Sequence, residues 1–127
     1  MDFLFDTNIF LEVLLGQEKK ESCKKLLVDF KGIIFLSEFS IHSIGVILFK
    51  QKKFAIFDNF ISDIAHNGSI ISLPLVKYPQ ISIIAQKYHL DFDDAIQTAV
   101  AIEHKLGIIT IDNDFKKVAK ALTVQFV

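Results

Sequence analysis

Five short apolar runs punctuate the chain: FLF at 3–5, IIFL at 33–36, SIISL at 69–73, GIITI at 107–111 and TVQFV at 123–127. They are rich in β-branched and aromatic residues and lack strict apolar/polar alternation, so they predict strands buried on both faces. Helical spacings lie between them. Cys23, Leu26, Leu27 and Phe30 follow i, i+3, i+4, i+7, one buried stripe with lysines opposite. Phe57, Phe60, Ile61 and Ile64 repeat that spacing, with Gly68 as a stop. Pro79 suits the first turn of a helix whose stripe is Ile81, Ile84, Ala85 and Tyr88. Ala95, Ala99, Ile102 and Leu106 form a further stripe closed by Gly107, and Phe115, Val118, Ala119 and Leu122 form the last. Strands alternating with helices predict an α/β fold: a three-layer α/β/α sandwich around a central, mostly parallel five-stranded sheet.

Composition narrows this picture. A chain of 127 residues, 51% apolar, fits a single domain over 1–127 with a real core. No apolar run approaches the roughly 18 residues of a membrane span. The opening MDFLFDTN carries an acid and no basic leader, so no signal peptide is expected. Cys23 is the only cysteine, which excludes an internal disulfide and suits the reducing cytoplasm. Net charge is −1, with all 14 basic residues lysine, so any RNA contact must come from local patches. Lys50, Lys52 and Lys53 form one such patch, and Lys116, Lys117 and Lys120 another. Thirteen phenylalanines are more than a small core readily hides. Exposed apolar patches mark protein interfaces, so a homodimer or a groove for a partner protein is expected.

The acids carry the candidate chemistry. Asp6 directly follows the first predicted strand, and Asp112 and Asp114 directly follow the fourth. In parallel α/β sheets, ligands gather outside the carboxyl ends of strands. Asp91, Asp93 and Asp94 open the helix that feeds the fourth strand. Each acid alone is explained as a helix cap. Together, three separate regions deliver carboxylates to one predicted edge, and no arginine exists to neutralise them. Such clusters suit hard divalent cations, Mg²⁺ or Mn²⁺. No Cys/His spacing resembles a zinc site, and no glycine-rich phosphate loop is present. His42, His66, His89 and His104 pair with no nucleophile; His104 is expected to sit at a helix end and His89 on the surface.

These residues resemble a known family. LFDTNIFLE is similar to the opening motif of the PIN-domain family, an aspartate after the first strand followed by Thr/Ser and Asn. DDAIQTAVA resembles its third motif, and IITIDNDF its fourth. The resemblance spans essentially the whole chain. It implies an Mg²⁺- or Mn²⁺-dependent endoribonuclease, many members being VapC-type toxins paired with an antitoxin protein. It carries Asp6, Asp94 and Asp112 over as metal ligands, Asp114 as an accessory acid, and Thr7, Asn8 and Thr110 as polar supports. A metal so held lowers the pKa of a bound water for in-line attack on a phosphodiester.

One motif departs from the pattern. The family places a glutamate about three residues after a Ser/Thr in the helix following the second strand. Aligning Ser40 to that Ser/Thr puts Ser43 at the glutamate position. Either Glu38, directly after the second strand, stands in as a ligand and catalytic residue, with Ser43 leaving room for a water or a hydroxyl contact, or the site is one ligand short. Three other readings compete: a PIN-fold binding module acting through protein partners, a dehalogenase-like phosphatase and a receiver domain. The phosphatase wants a second acid where this chain has Asn8. The receiver domain wants an aspartate after the third strand, where SIISLPL has none.

Overall fold

The computed structural model describes residues 1–127. Five strands, β1 (Phe3–Phe5), β2 (Ile34–Ser37), β3 (Gly68–Ile71), β4 (Gly107–Thr110) and β5 (Val124–Phe126), fall on the five apolar runs. Six α-helices join them: α1 (Thr7–Leu14), α2 (Lys20–Asp29), α3 (Glu38–Lys50), α4 (Phe54–Asn67), α5 (Pro79–Tyr88) and α6 (Phe92–Glu103). Short 3₁₀ segments cover Leu75–Lys77 and Asn113–Val118. The strand order is β3-β2-β1-β4-β5, and every neighbouring pair is parallel.

Alternation along the strands divides the core into two layers. Leu4 and Ile108 face one side, packing with Ile81 and Ile84 of α5, Ala95 and Ala99 of α6, and Phe115 and Val118. Phe5 and Ile109 face the other, against Ile9 and Phe10 of α1, Cys23 of α2, Ile44 and Leu48 of α3, and Phe60 and Ile64 of α4. Since the side-chain period of a strand is two, these alternating contacts lock the register. Phe3 pairs with Gly107, Leu4 with Ile108 and Phe5 with Ile109. Whatever follows β1 and β4 therefore emerges at one edge.

Three sequence expectations shift. Gly107 does not stop α6. The left-handed turn falls on Lys105 (φ 56°), and Gly107 opens β4. Its need for glycine is steric, because a Cβ there would lie 2.7 Å from the Phe3 ring and 2.9 Å from the Thr123 carbonyl oxygen. Gly68 does end α4, but in extended backbone rather than a left-handed turn, and it begins β3. The last stripe belongs to a 3₁₀ segment: Phe115 and Val118 are buried, but Ala119 is exposed. A spacing of three fits both periods, whereas the fourth residue fits only the α-helix.

Candidate metal centre

The chain turns outward from β1 and then from β3 to the opposite side of β1, making the gap between β1 and β4 a topological switch point. That is where parallel sheets bind ligands. A cleft of ≈ 250 Å³ opens there, lined by six aspartates: Asp6, Asp91, Asp93, Asp94, Asp112 and Asp114. Thr7, Asn8, Ser43 and Gln97 supply its other polar walls. One carboxylate oxygen each from Asp94, Asp112 and Asp114 lies within 4.8 Å of the others.

Asp6 is the buried floor of the cleft. Its backbone N–H donates to the Ile109 carbonyl (2.9 Å), so β4 fixes it in place. Thr110 Oγ1 donates to its Oδ2 (2.7 Å), and the Thr7 N–H donates to its Oδ1 (2.9 Å) as α1 begins. Asp6 is thus both helix cap and site carboxylate. Burial pushes its carboxyl above the usual range, against hydrogen bonds from Thr110, Thr7 and Gln97; the nearby Asp112 charge adds to the rise.

Asp94 reaches the cleft from the first turn of α6. Burial pushes its carboxyl up to about 7, and the charges of Asp112, Asp6, Asp114 and Asp93 push the same way. Asp112 is held twice: its N–H donates to Thr110 Oγ1 (2.9 Å), and its Oδ1 accepts from the Asp114 N–H (2.8 Å). Asp91 precedes α6, but its side chain makes no capping hydrogen bond, so the cap explanation fails for it.

Behind the acids lies a network that pattern reasoning missed. Gln97 is 1% exposed, in the middle of the buried face of α6. Its Nε2 donates toward Ser40 Oγ (2.8 Å), Thr7 Oγ1 (3.2 Å) and, more weakly, Asp6 Oδ1 (3.4 Å), and its Oε1 accepts from Ser37 Oγ (2.6 Å). Ser40 and Thr7 hydroxyls meet at 2.8 Å. The available signal was a lone glutamine among Ala95, Ile96, Thr98, Ala99 and Val100, since buried polar groups are hydrogen-bonded.

The structure brings Asp6, Asp94, Asp112, Asp114, Thr7, Asn8 and Ser43 to this cleft, with Thr110 beneath it. It does not bring Glu38. That side chain is more than half exposed, lines a neighbouring cleft and sits 3.9 Å from His42 Nε2. At the first position of α3 its side chain falls on the far side of Phe39, away from the ligand position expected from sequence. Ser43, one turn further, faces the acids instead. His89 is exposed at the end of α5, and His104 ends α6 with Nε2 2.9 Å from the Ser72 carbonyl oxygen.

The donor set fits a hard divalent cation. All its groups are oxygens, three converge within 4.8 Å, and burial, with the neighbouring acids adding to it, raises the Asp94 carboxyl to about 7. No helix is long and apolar enough to cross a membrane.

Comparison with known proteins agrees with this fold. No curated protein sequence matches the chain. Among solved structures, a toxin–antitoxin complex from Klebsiella pneumoniae matches at TM-score 0.77 and 24% identity, covering 97% of this chain and 95% of that one. The sarcin–ricin-loop-cleaving toxin VapC20 of Mycobacterium tuberculosis matches at TM-score 0.77 and 14% identity, over 96% and 97%. VapBC2 from Rickettsia felis, bound to a promoter DNA fragment, matches at 0.73 and 14%, over 100% and 99%. Each of these shares the fold. The PIN domain family model matches residues 3–121, nearly the whole chain, and the chain belongs to that family.

Proposed function

We propose that this protein is a metal-dependent endoribonuclease, the toxin of a toxin–antitoxin pair, with Asp6, Asp94, Asp112 and Asp114 holding Mg²⁺ or Mn²⁺. The observation that carries the reading is the convergence of Asp94, Asp112 and Asp114 oxygens within 4.8 Å, beside a buried Asp6. When bound, such a cation supplies an activated water and polarises a phosphate oxygen. The chain's own residues prepare the place. Thr110 and the Thr7 N–H fix the Asp6 carboxylate, and Thr110 and the Asp114 N–H fix Asp112, so the acids need little reorganisation to bind. Gln97 holds the hydroxyls of Thr7 and Ser40 against the back of the cleft, and Ser43 and Asn8 line its rim.

An antitoxin partner fits the company of similar structures, among them VapBC2 of Rickettsia felis and FitAcB of Neisseria gonorrhoeae. An apolar cavity of ≈ 340 Å³ between α1, α2 and α4, lined by Phe10, Val13, Leu14, Leu27 and Phe60, offers an apolar segment of such a partner a seat.

The test is cleavage of unstructured, end-labelled RNA by purified protein with Mn²⁺ or Mg²⁺. Cleavage should vanish on chelation and in Asp94→Asn and Asp112→Asn. Cleavage that survives both variants would overturn the assignment. Ser43 in place of an acid at the rim favours a second reading, a PIN-fold module acting through protein partners. Metal binding without cleavage of any RNA would select it.

A further inference from the structure

A second cleft of ≈ 230 Å³ lies beside the acidic one. Phe39 lines both, so a single aromatic ring forms part of the wall between them. Phe92 stacks edge-on against Phe39, with ring centroids 6.0 Å apart and planes at 65°. Phe92 is 54% exposed and Tyr78 is 43% exposed, both lining the cleft. Leu73, Ile96 and Val100 close its floor.

Its polar groups narrow what it can hold. The Ser37 hydroxyl is engaged by Gln97 and Ser40, and the Ser72 carbonyl by His104. That leaves the Ser72 and Tyr78 hydroxyls, which can donate or accept, and two titratable side chains, Glu38 and His42, one helical turn apart on the rim. A carboxylate at the rim repels phosphate, so the occupant is a neutral group with hydrogen-bond donors. The volume is small for a drug-sized ligand but suits one flat ring system. Exposed aromatic rings beside a phosphodiester site are how proteins hold unpaired bases.

We infer that this second cleft receives one unpaired base of the RNA strand, adjoining the nucleotide at the acidic cleft, and that Glu38 selects guanine there. An ionised carboxylate only accepts hydrogen bonds. Guanine presents N1–H and N2–H side by side on its pairing edge, matched to two carboxylate oxygens. Cytosine, adenine and uracil each present a single donor group on that edge. His42 stands one turn along α3, its Nε2 3.9 Å from that carboxylate.

This inference rests on the nuclease reading for its setting, and its test separates the two. Four unstructured oligonucleotides differing at one position beside a fixed cleavage site are cleaved with Mn²⁺ by wild type, Glu38→Gln and Phe92→Ala. Wild type should favour guanine by about tenfold, as a bidentate base contact does, and both variants should lose that ratio. Equal cleavage of all four, or a guanine preference untouched by both variants, overturns the base site and leaves the nuclease standing. If wild type cleaves nothing, the nuclease reading falls. Fluorescence anisotropy of the same oligonucleotides then decides: guanine preference lost in Glu38→Gln supports the base site, and uniform affinity overturns it. Sedimentation covers the remaining case. Conversion of a dimer to monomer by Phe92→Ala with base preference intact would assign the aromatic face to a second copy of the chain and overturn the inference.

Discussion

Thr110 Oγ1 donates 2.7 Å to Asp6 Oδ2 and accepts the Asp112 N–H at 2.9 Å, so one hydroxyl couples the carboxyl ends of β1 and β4. Neither partner is free to turn away. The carboxylate is buried, and the hydroxyl is its strongest neutral support.

Thr110→Val keeps the shape and removes the hydroxyl. It strands a lone pair of Asp6 and the Asp112 N–H, at a cost of about 1–3 kcal/mol for a buried group left unsatisfied. Urea unfolding measures it. The loss should grow as pH rises and Asp6 ionises, because the hydroxyl favours the charged carboxylate. A change indistinguishable from zero would mean that water replaces the hydroxyl.

Divalent cation should stabilise the folded chain. Binding to the native state alone contributes about 2.7 kcal/mol at a hundredfold excess over Kd. Thermal melts with and without Mn²⁺ read this directly. Asp94→Asn and Asp112→Asn should abolish the shift, while Asp63→Asn, an exposed acid on α4, should retain it. A shift of the same size in all three proteins would mean the ion binds elsewhere.

Without cation, stability should fall as pH rises. Asp94 titrates at about 7 in the folded chain against an ordinary 3.8, so between those values the folded state holds a proton that the unfolded state has released. Raising pH through that window removes it at the folded state's expense. Asp94 is only half-buried, so solvent screens much of the effect. Unfolding midpoints from pH 4 to 8 should decline in wild type and less steeply in Asp94→Asn, where the raised Asp6 remains. Added Mn²⁺ should reverse the trend, since it favours the deprotonated acids.

Glu38→Gln should leave the Mn²⁺-induced rise in Tm unchanged, because its side chain lines the other cleft. Ser43→Glu should enlarge that rise by adding a carboxylate to the acidic wall. Loss of the rise in Glu38→Gln would return Glu38 to the metal site.

The central strands were legible because buried parallel strands leave an apolar run; the edge strands β3 and β5 left such runs too, though both are partly exposed and not buried on both faces as expected. Asp6, Asp112 and Asp114 were legible because they follow two of these runs, and Asp94 because it opens a helix. Asp6, Asp94, Asp112 and Asp114 needed only topology to meet. Glu38 and Ser43 needed more. Both lie near the start of α3, and which of them faces the acids depends on where Phe39 packs, a tertiary fact that spacing does not carry. Gln97 was hidden for a related reason. One polar residue in an apolar helix announces that it has partners without saying who they are. Its partners Ser37, Ser40 and Thr7 come from segments 57 to 90 residues away.

The strand order has a bearing on synthesis. β1 is made first yet lies at the centre of the sheet, and its partner β4 begins only at Gly107. A chain emerging from the ribosome carries Asp6 long before Asp94, Asp112 and Asp114 exist. Pairing across so long a stretch of sequence is slow to form, because the loop must close before any contact rewards it. Until then Asp6 is a solitary carboxylate. The acidic cleft therefore assembles only after β4 and the acids that follow it have been made, and a truncated product ending before residue 107 carries no such cleft.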